Sequence, residues 1–305
     1  MLKYVVRRLS HSILMILGIT IIIFIITNVI GDPVALLLDP ASRKEDFEAL
    51  RRQLGLDQPF YVQYLVFLKG VVRGNFGESL RAHEPAMRLV LQHLPATIEL
   101  TMAAMVFMLM VGIPVGVVSA ARPNSIGDRL GRLFALGGQA APNFWLGIMA
   151  ILIFGVKLKW VPISGRGGFD RLILPAITLG FFGMAAVMRL TRSAMLDVLD
   201  KDYIRTARIK GLPEYKVVLK HGFKNALIPV VTYVGLLLAG LLGGAVITET
   251  IFAWPGLGRL AVQSITMNDF PVVQAVVFLA SVVFISINLL VDILYCWIDP
   301  RISYQ

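Results

Sequence analysis

The sequence predicts an all-α integral membrane protein of six transmembrane helices, and three observations carry that prediction. Charged residues make up only 16% of the 305 positions, against about 25% in soluble domains, and the mean hydropathy is +0.75. Six long runs contain no Asp, Glu, Lys or Arg, at 9–31, 100–121, 133–156, 172–188, 225–248 and 270–291. A bilayer's hydrocarbon core needs about 20 helical residues to cross, within a range of about 17 to 25, so all six fit. A β-barrel would instead alternate apolar and polar positions over strands of about ten residues, and 13–26 shows no such alternation.

The first run follows Lys3, Arg7 and Arg8, as a signal peptide's would. It is longer than the usual apolar stretch of about 7 to 15 residues, and no small-x-small cleavage site precedes Gly31 and Asp32, so it reads as a retained helix. The single cysteine, Cys296, allows no intrachain disulfide and says nothing of redox compartment.

Orientation follows from the basic residues. With six crossings, 1–8, 122–132, 189–224 and 292–305 share one side and hold sixteen Lys and Arg. The opposite segments 157–171 and 249–269 hold five; the long segment 32–99 is discounted, because segments beyond about 60 residues translocate largely regardless of charge. Both termini are therefore expected in the cytoplasm. The net charge of +10, which in a soluble protein would point to nucleic acid, is accounted for by this asymmetry, so the expected surface partner is membrane lipid.

Between the first and second runs lies an outer segment long enough to fold. Ser42 and Glu45 stand in capping-box spacing, Phe47, Leu50 and Leu54 recur at helical intervals, and Gly55 is placed to end the helix. A second amphipathic stretch, 61–72, precedes a turn at Gly74 to Ser79, and Pro85 is expected to open a third short helix ending near Leu94. The chain is thus expected to divide into 1–95, a first helix with a small periplasmic helical segment, and 96–305, a five-helix core.

The cytoplasmic segment 189–224 carries nine Lys and Arg. Tyr203 to Lys210 are good helix formers, and Gly211, Leu212 and Pro213 stop them sharply. Helical spacing resumes through Tyr215, Val218 and Leu219 toward the fifth run. Two short helices joined by a Gly-x-Pro turn make a projecting knob of the kind that seats in a partner's groove.

Here the chain resembles the inner-membrane permeases of bacterial ABC importers, in the dipeptide, oligopeptide, glutathione and nickel branch. That family's cytoplasmic loop has a Glu-Ala-Ala element, three further residues and a glycine; Arg205, Thr206 and Ala207 stand at the element and Gly211 at the glycine. Arg replaces Glu, and Phe223 and Lys224 stand where many members have Leu-Pro, whereas the run Arg205 to Gly211 and Asn225 to Pro229 resemble the peptide branch. Gly31 to Pro33, Gln53 to Pro59, Asn75 to Ser79, Trp254 to Arg259, and Asp299 to Arg301 extend the likeness along the whole chain.

The resemblance implies a type I importer permease in a bacterial inner membrane. It would form half of the translocation pathway with a second permease, be driven by two cytoplasmic ATPases, and be served by a periplasmic or lipid-anchored binding protein. It implies that Arg205, Thr206, Ala207, Arg208, Lys210, Gly211 and Leu212 couple to the ATPase. No Gly-x-x-x-x-Gly-Lys-Ser/Thr loop occurs, so ATP is expected to be hydrolysed elsewhere and no cofactor is expected. The expected cargo is a di- or oligopeptide; a nickel chelate or glutathione is the alternative.

A secondary transporter is the rival class, and such proteins keep Asp, Glu or His deep in the membrane. The six runs contain neither acid, and their one histidine, His11, lies at an edge. His83 and Glu84 suggest a zinc protease, but Met87 stands where the second histidine is required, so no metal site is expected. Trp254, Pro255 and Gly256 read as a stiff outer turn with an exposed aromatic, expected to gate the outer mouth or meet the binding protein. Gln139 and Asn143, one turn apart in the third run, are the candidates for the pathway, and Gly112, Gly116, Gly240, Gly243 and Gly244 for close helix packing.

Overall fold

A computed structural model describes residues 2–29, 43–53 and 55–298. Gly31 to Pro33, Ser42, Leu54 and Asp299 to Arg301 lie outside the described residues, as do the surroundings of Gly243, Gly244 and Cys296. In chain order the helices are α1 (Leu2–Val29), α2 (Lys44–Gln53), α3 (Phe60–Val72), α4 (Ala86–Ala121), α5 (Ile126–Ala140) and α6 (Asn143–Ala150, continued by π-helical turns Ile151–Lys157). There follow α7 (Phe169–Leu199), α8 (Asp202–Ile209), α9 (Glu214–Lys216, continued by π-helical turns Val217–Phe223), α10 (Lys224–Ile251), α11 (Leu257–Thr266) and α12 (Phe270–Ile298).

Among the described residues, five stretches are apolar and long enough to cross a bilayer: Arg7–Thr27, Ala86–Ala121, Phe169–Leu199, Glu214–Leu238 and Phe270–Val291. The run 133–156 departs from the expected straight crossing. It falls in two helices, α5 and α6, that meet at 106°. Pro142 explains the break, because it donates no backbone hydrogen bond and holds Ala141 in extended backbone at ψ 127°. A sixth span exists only if the bent pair counts as one. The expected short helix after Pro85 is likewise corrected, since it forms the first turns of the continuous α4.

The chain divides into two compact units, Met1–Pro95 with Gly256–Leu289, and Ala96–Pro255 with Leu290–Gln305. In the first, Val71, Phe76, Ala86, Val90, Leu257 and Val272 share one core. Phe24, Tyr64 and Phe67 pack ring against ring. The turn after α3 is pinned by Asp269, which accepts from the Ser79 hydroxyl at 2.5 Å and the Leu80 amide at 3.2 Å. The stretch 249–269, expected as an outer segment, contains the helix α11, whose Leu257 is buried in this core.

The second unit is built on α4, α7 and α10. Met108, Met184, Val187, Met188 and Val230 are buried together. Helices α4 and α7 touch backbone to backbone, because a Cβ added to Gly112 or Gly116 would lie 2.9 Å or 2.7 Å from the carbonyl oxygens of Met184 or Met188. Any side chain at either position would force the helices apart. Gly240, expected to serve the same purpose, instead faces open space.

Candidate coupling segment and outer turn

Helix α7 ends at Leu199, and α8 begins two residues beyond its cap at Asp200. The inner face of α8 is set by Ile204 and Ala207, buried with Val217 against Leu199. Asn225 donates to the Tyr203 hydroxyl at 3.1 Å, tying α8 to the start of α10. The α8 terminus closes with the paired bonds of a Schellman motif: Gly211 N donates to Arg208 O at 2.9 Å and Leu212 N to Ala207 O at 3.3 Å. Gly211 has φ +76°, a conformation that costs other L-residues roughly 1–2 kcal/mol, so glycine is favoured there. Pro213 then prevents the helix from resuming at once.

Charge completes the turn. Arg208 reaches across it to Glu214 with two hydrogen bonds, 2.8 and 3.2 Å, and those bonds hold the guanidinium above its ordinary value. Arg205 lies 3.3 Å from Asp200 and 3.7 Å from Asp202, and Thr206 donates to the Asp202 carbonyl at 3.0 Å.

Ala207 and Gly211, four apart, are expected by helix spacing to share the docking face, but burial separates them. Ala207 does not present a free surface with Gly211, since it is buried in the chain's own cluster. Exposed instead are Lys210, Gly211 and Leu212, with Ile209 at 86%, Tyr215 at 63% and Leu219 at 55%. Nothing lies within 4 Å of a Cβ built on Gly211. Ile209 was not singled out by sequence, and Tyr215 and Leu219 were read only as helical spacing, although each stands off the buried positions 204, 207 and 217.

The base of this segment is anchored by an ion pair that sequence reading also missed. Asp128, fully buried, accepts from Arg192 Nε at 2.7 Å and Nη2 at 3.1 Å. It also accepts from the Ser119 hydroxyl and the Asn124 amide. Arg192 therefore belongs to a joint between α4, α5 and α7, where the sequence placed it only among the nine basic residues of the cytoplasmic segment.

The outer turn is corrected more sharply. Trp254 is fully buried, packed among Ala96, Leu100 and Ala245, and its Nε1 donates to the Ala96 carbonyl at 2.8 Å. The neighbouring Thr97 donates to the buried carboxylate of Glu249 at 2.7 Å, and Trp254 N donates to the Glu249 carbonyl at 2.8 Å. The stretch 249–254 is thus pinned to α4 rather than presenting an aromatic outward. Pro255 is half-buried and Gly256 buried, at the start of α11. Gln139 and Asn143, both half-buried, lie on opposite sides of the 106° bend and so are not a helical turn apart.

Known proteins share this pattern. Two family models match: the N-terminal part of the binding-protein-dependent transport system membrane component over residues 1–101, and the transport system's inner membrane component over residues 112–304. The oligopeptide transport system permease protein of Bacillus subtilis (strain 168) is 44% identical, with 100% of both chains covered. The dipeptide transport system permease protein of Alkalihalophilus pseudofirmus and the glutathione transport system permease protein of Escherichia coli (strain K12) are each 42% identical, again over 100% of both chains. Among solved structures, an inward-facing methionine ABC transporter shares the fold at TM-score 0.57 and 20% identity, over 70% of this chain and 97% of that one. Matched along nearly its whole length, the chain belongs to the family of binding-protein-dependent transport system inner membrane components, multi-pass permeases of the inner membrane.

Proposed function

We propose that this chain is one permease subunit of an ATP-driven importer of di- or oligopeptides. It pairs with a second permease to form the pathway, and one of two cytoplasmic ABC ATPases engages the α8–Gly211 turn. A binding protein delivers cargo from outside. The observation that carries the coupling role is the turn itself: a short helix with an abrupt glycine stop, clamped by Arg208 and Glu214, that leaves Ile209, Leu212 and Tyr215 exposed beside Lys210. A push is transmitted only by an element that does not fold away under load, and this turn is fixed to α7 and α10 on its inner side.

In this reading both termini are cytoplasmic, supported by sixteen basic residues against five in the short segments 157–171 and 249–269 of the other side. The pathway lies within 96–305, and 1–95 adds the first helix and an outer cap. The turn at Trp254, Pro255 and Gly256 holds the outer end of the pathway by anchoring to α4, and Gln139 and Asn143 flank a bend where the chain changes direction. The peptide cargo rests on the dipeptide and oligopeptide relatives; the equally similar glutathione permease supports glutathione, a tripeptide, as the second reading. Uptake of labelled dipeptides, a tetrapeptide, glutathione and nickel in a strain lacking this gene separates them. Loss of peptide uptake alone is expected, and unchanged uptake of every peptide would remove the assignment.

A further inference from the structure

The outer segment contains a helix ill suited to water. Of the 13 residues of α3 only Lys69, in its last turn, is charged. At about 1.5 Å per residue α3 is about 20 Å long, too short to cross a hydrocarbon core of roughly 30 Å. One face, Phe60, Tyr64 and Phe67, closes on Phe24 of α1 with ring centroids 4.9, 5.4 and 5.7 Å apart, and the hydroxyls of Tyr64 and Thr20 share a hydrogen bond of 2.9 Å. These contacts fix the depth of α3. Gln274 donates to the Thr27 hydroxyl at 2.8 Å, and it stands four residues, about 6 Å, inside the start of α12 at Phe270. Phe24 and Thr20 lie about 5 and 10 Å further in along α1. Helix α3 therefore packs on the part of α1 that crosses the bilayer, not on its outer rim. The far side of the helix, Tyr61, Leu65, Val66 and Val72, is 60% to 82% exposed, with Lys69 exposed among them. Ahead of the helix, Gln63 Nε2 donates to the carbonyls of Gln58 at 2.8 Å and Leu56 at 3.2 Å, which satisfies backbone acceptors from within the chain, as a setting poor in water demands.

We propose that α3 is embedded in the outer leaflet of the membrane, with its far side covered by phospholipid acyl chains and the Lys69 ammonium extended to their phosphates. Depth and charge select that occupant. At the level of Phe24 the surroundings of the chain are hydrocarbon, which neither water nor a water-soluble binding protein enters. Lys69 stands in the middle of the far side, between Val66 and Val72, so a second permease laid over this face would bury an ammonium and strip its hydration. Lipid leaves the stem of the lysine among acyl chains and its head at the phosphates. Asp57 before the helix and Arg73 directly after it, both exposed, put charge at the two ends, so the ends rise to the headgroups while the middle lies beneath them. Tyr61 near one end and Lys69 near the other are residue types that hold helices at a bilayer surface. The choice of leaflet rests on the orientation proposed above; the depth does not.

The test places a nitroxide at Leu65→Cys, in a Cys296→Ser background, in the assembled importer in phospholipid nanodiscs. Its collisions with oxygen, which concentrates in hydrocarbon, are compared with those with water-soluble chromium oxalate. Oxygen is expected to dominate several-fold at 65, and the order to reverse at Glu48→Cys on α2, whose native side chain is 74% exposed. Val66→Cys is an independent second reading, expected to agree with 65. Chromium oxalate dominating at 65 and 66 as at 48 would place the helix in water and overturn the proposal. Few collisions with either reagent would show a protein partner over this face and overturn it as well. Collision ratios report depth and not side, so an inverted topology would leave them unchanged and would fail only in the thiol-labelling of whole cells.

Discussion

Arg208 and Glu214 stand on either side of Gly211 and are joined by hydrogen bonds of 2.8 and 3.2 Å, so the turn that ends α8 is closed by charge as well as by backbone. The pair is half exposed, at 43% and 60%, and exposed pairs contribute at most about 1 kcal/mol. Arg208→Gln or Glu214→Gln is therefore expected to leave thermal unfolding of the chain within about 1 kcal/mol. Both are expected to reduce uptake per ATP hydrolysed in proteoliposomes. The reversed pair, Arg208→Glu with Glu214→Arg, is expected to recover part of the loss.

Gly211→Trp is expected to insert and to pair with the second permease, because no atom lies within 4 Å of its Cβ and the membrane helices are untouched. Its bulk and the strain of φ +76° act at the exposed tip. Purified complexes should lack ATPase or hydrolyse ATP without uptake. Gly211→Asn, which tolerates a left-handed backbone better, should fall between the two.

Asp128→Ala leaves Arg192, only 21% exposed, without its counter-charge. Removing one partner of a buried pair costs about 3–5 kcal/mol, so a marked drop in melting temperature is expected. Asp128→Ala combined with Arg192→Met removes both charges and is expected to regain most of it. Equal melting of the single variant and the native chain would show that the pair does not anchor α7.

Trp254→Phe keeps most of the ring but takes the donor from the Ala96 carbonyl, with an expected cost of about 1–3 kcal/mol. Trp254→Ala also opens a cavity and is expected to cost about 3–5 kcal/mol. Both are expected to lower transport in proportion to folded protein. A variant that melts like the native chain yet no longer responds to the binding protein would restore the aromatic to a surface role.

Single cysteines at Lys216, Arg301, Asp57 and Arg166 in a Cys296→Ser background test the orientation. An impermeant thiol reagent applied to whole cells is expected to label 57 and 166 only. Labelling at 216 but not at 57 would invert the topology.

The membrane helices were legible because bilayer thickness writes itself into one dimension: a charge-free run such as 270–291 needs no knowledge of its neighbours. The stop of α8 was legible for a similar reason, since Gly211, Leu212 and Pro213 act on local backbone. What depended on distant partners was not. Trp254 looked exposed because its acceptor, Ala96, is 158 positions away, and the partner of Arg192 went unseen because Asp128 is 64 positions away. Ala207 was read from helix spacing alone, which says which residues share a face but not whether that face turns inward. The bend between α5 and α6 was signalled by Pro142, but the unbroken apolar run outweighed it.

The central claim is that the tip of α8 is the surface an ATPase grips, and Ile209, 86% exposed, tests it most directly. A photoreactive amino acid placed at 209 in the assembled importer is expected to cross-link to the ATPase subunit in high yield, and to lose that product in the Gly211→Trp background. Cross-links at 209 that reach only lipid or this chain itself, in a complex that still couples ATP hydrolysis to uptake, would contradict it.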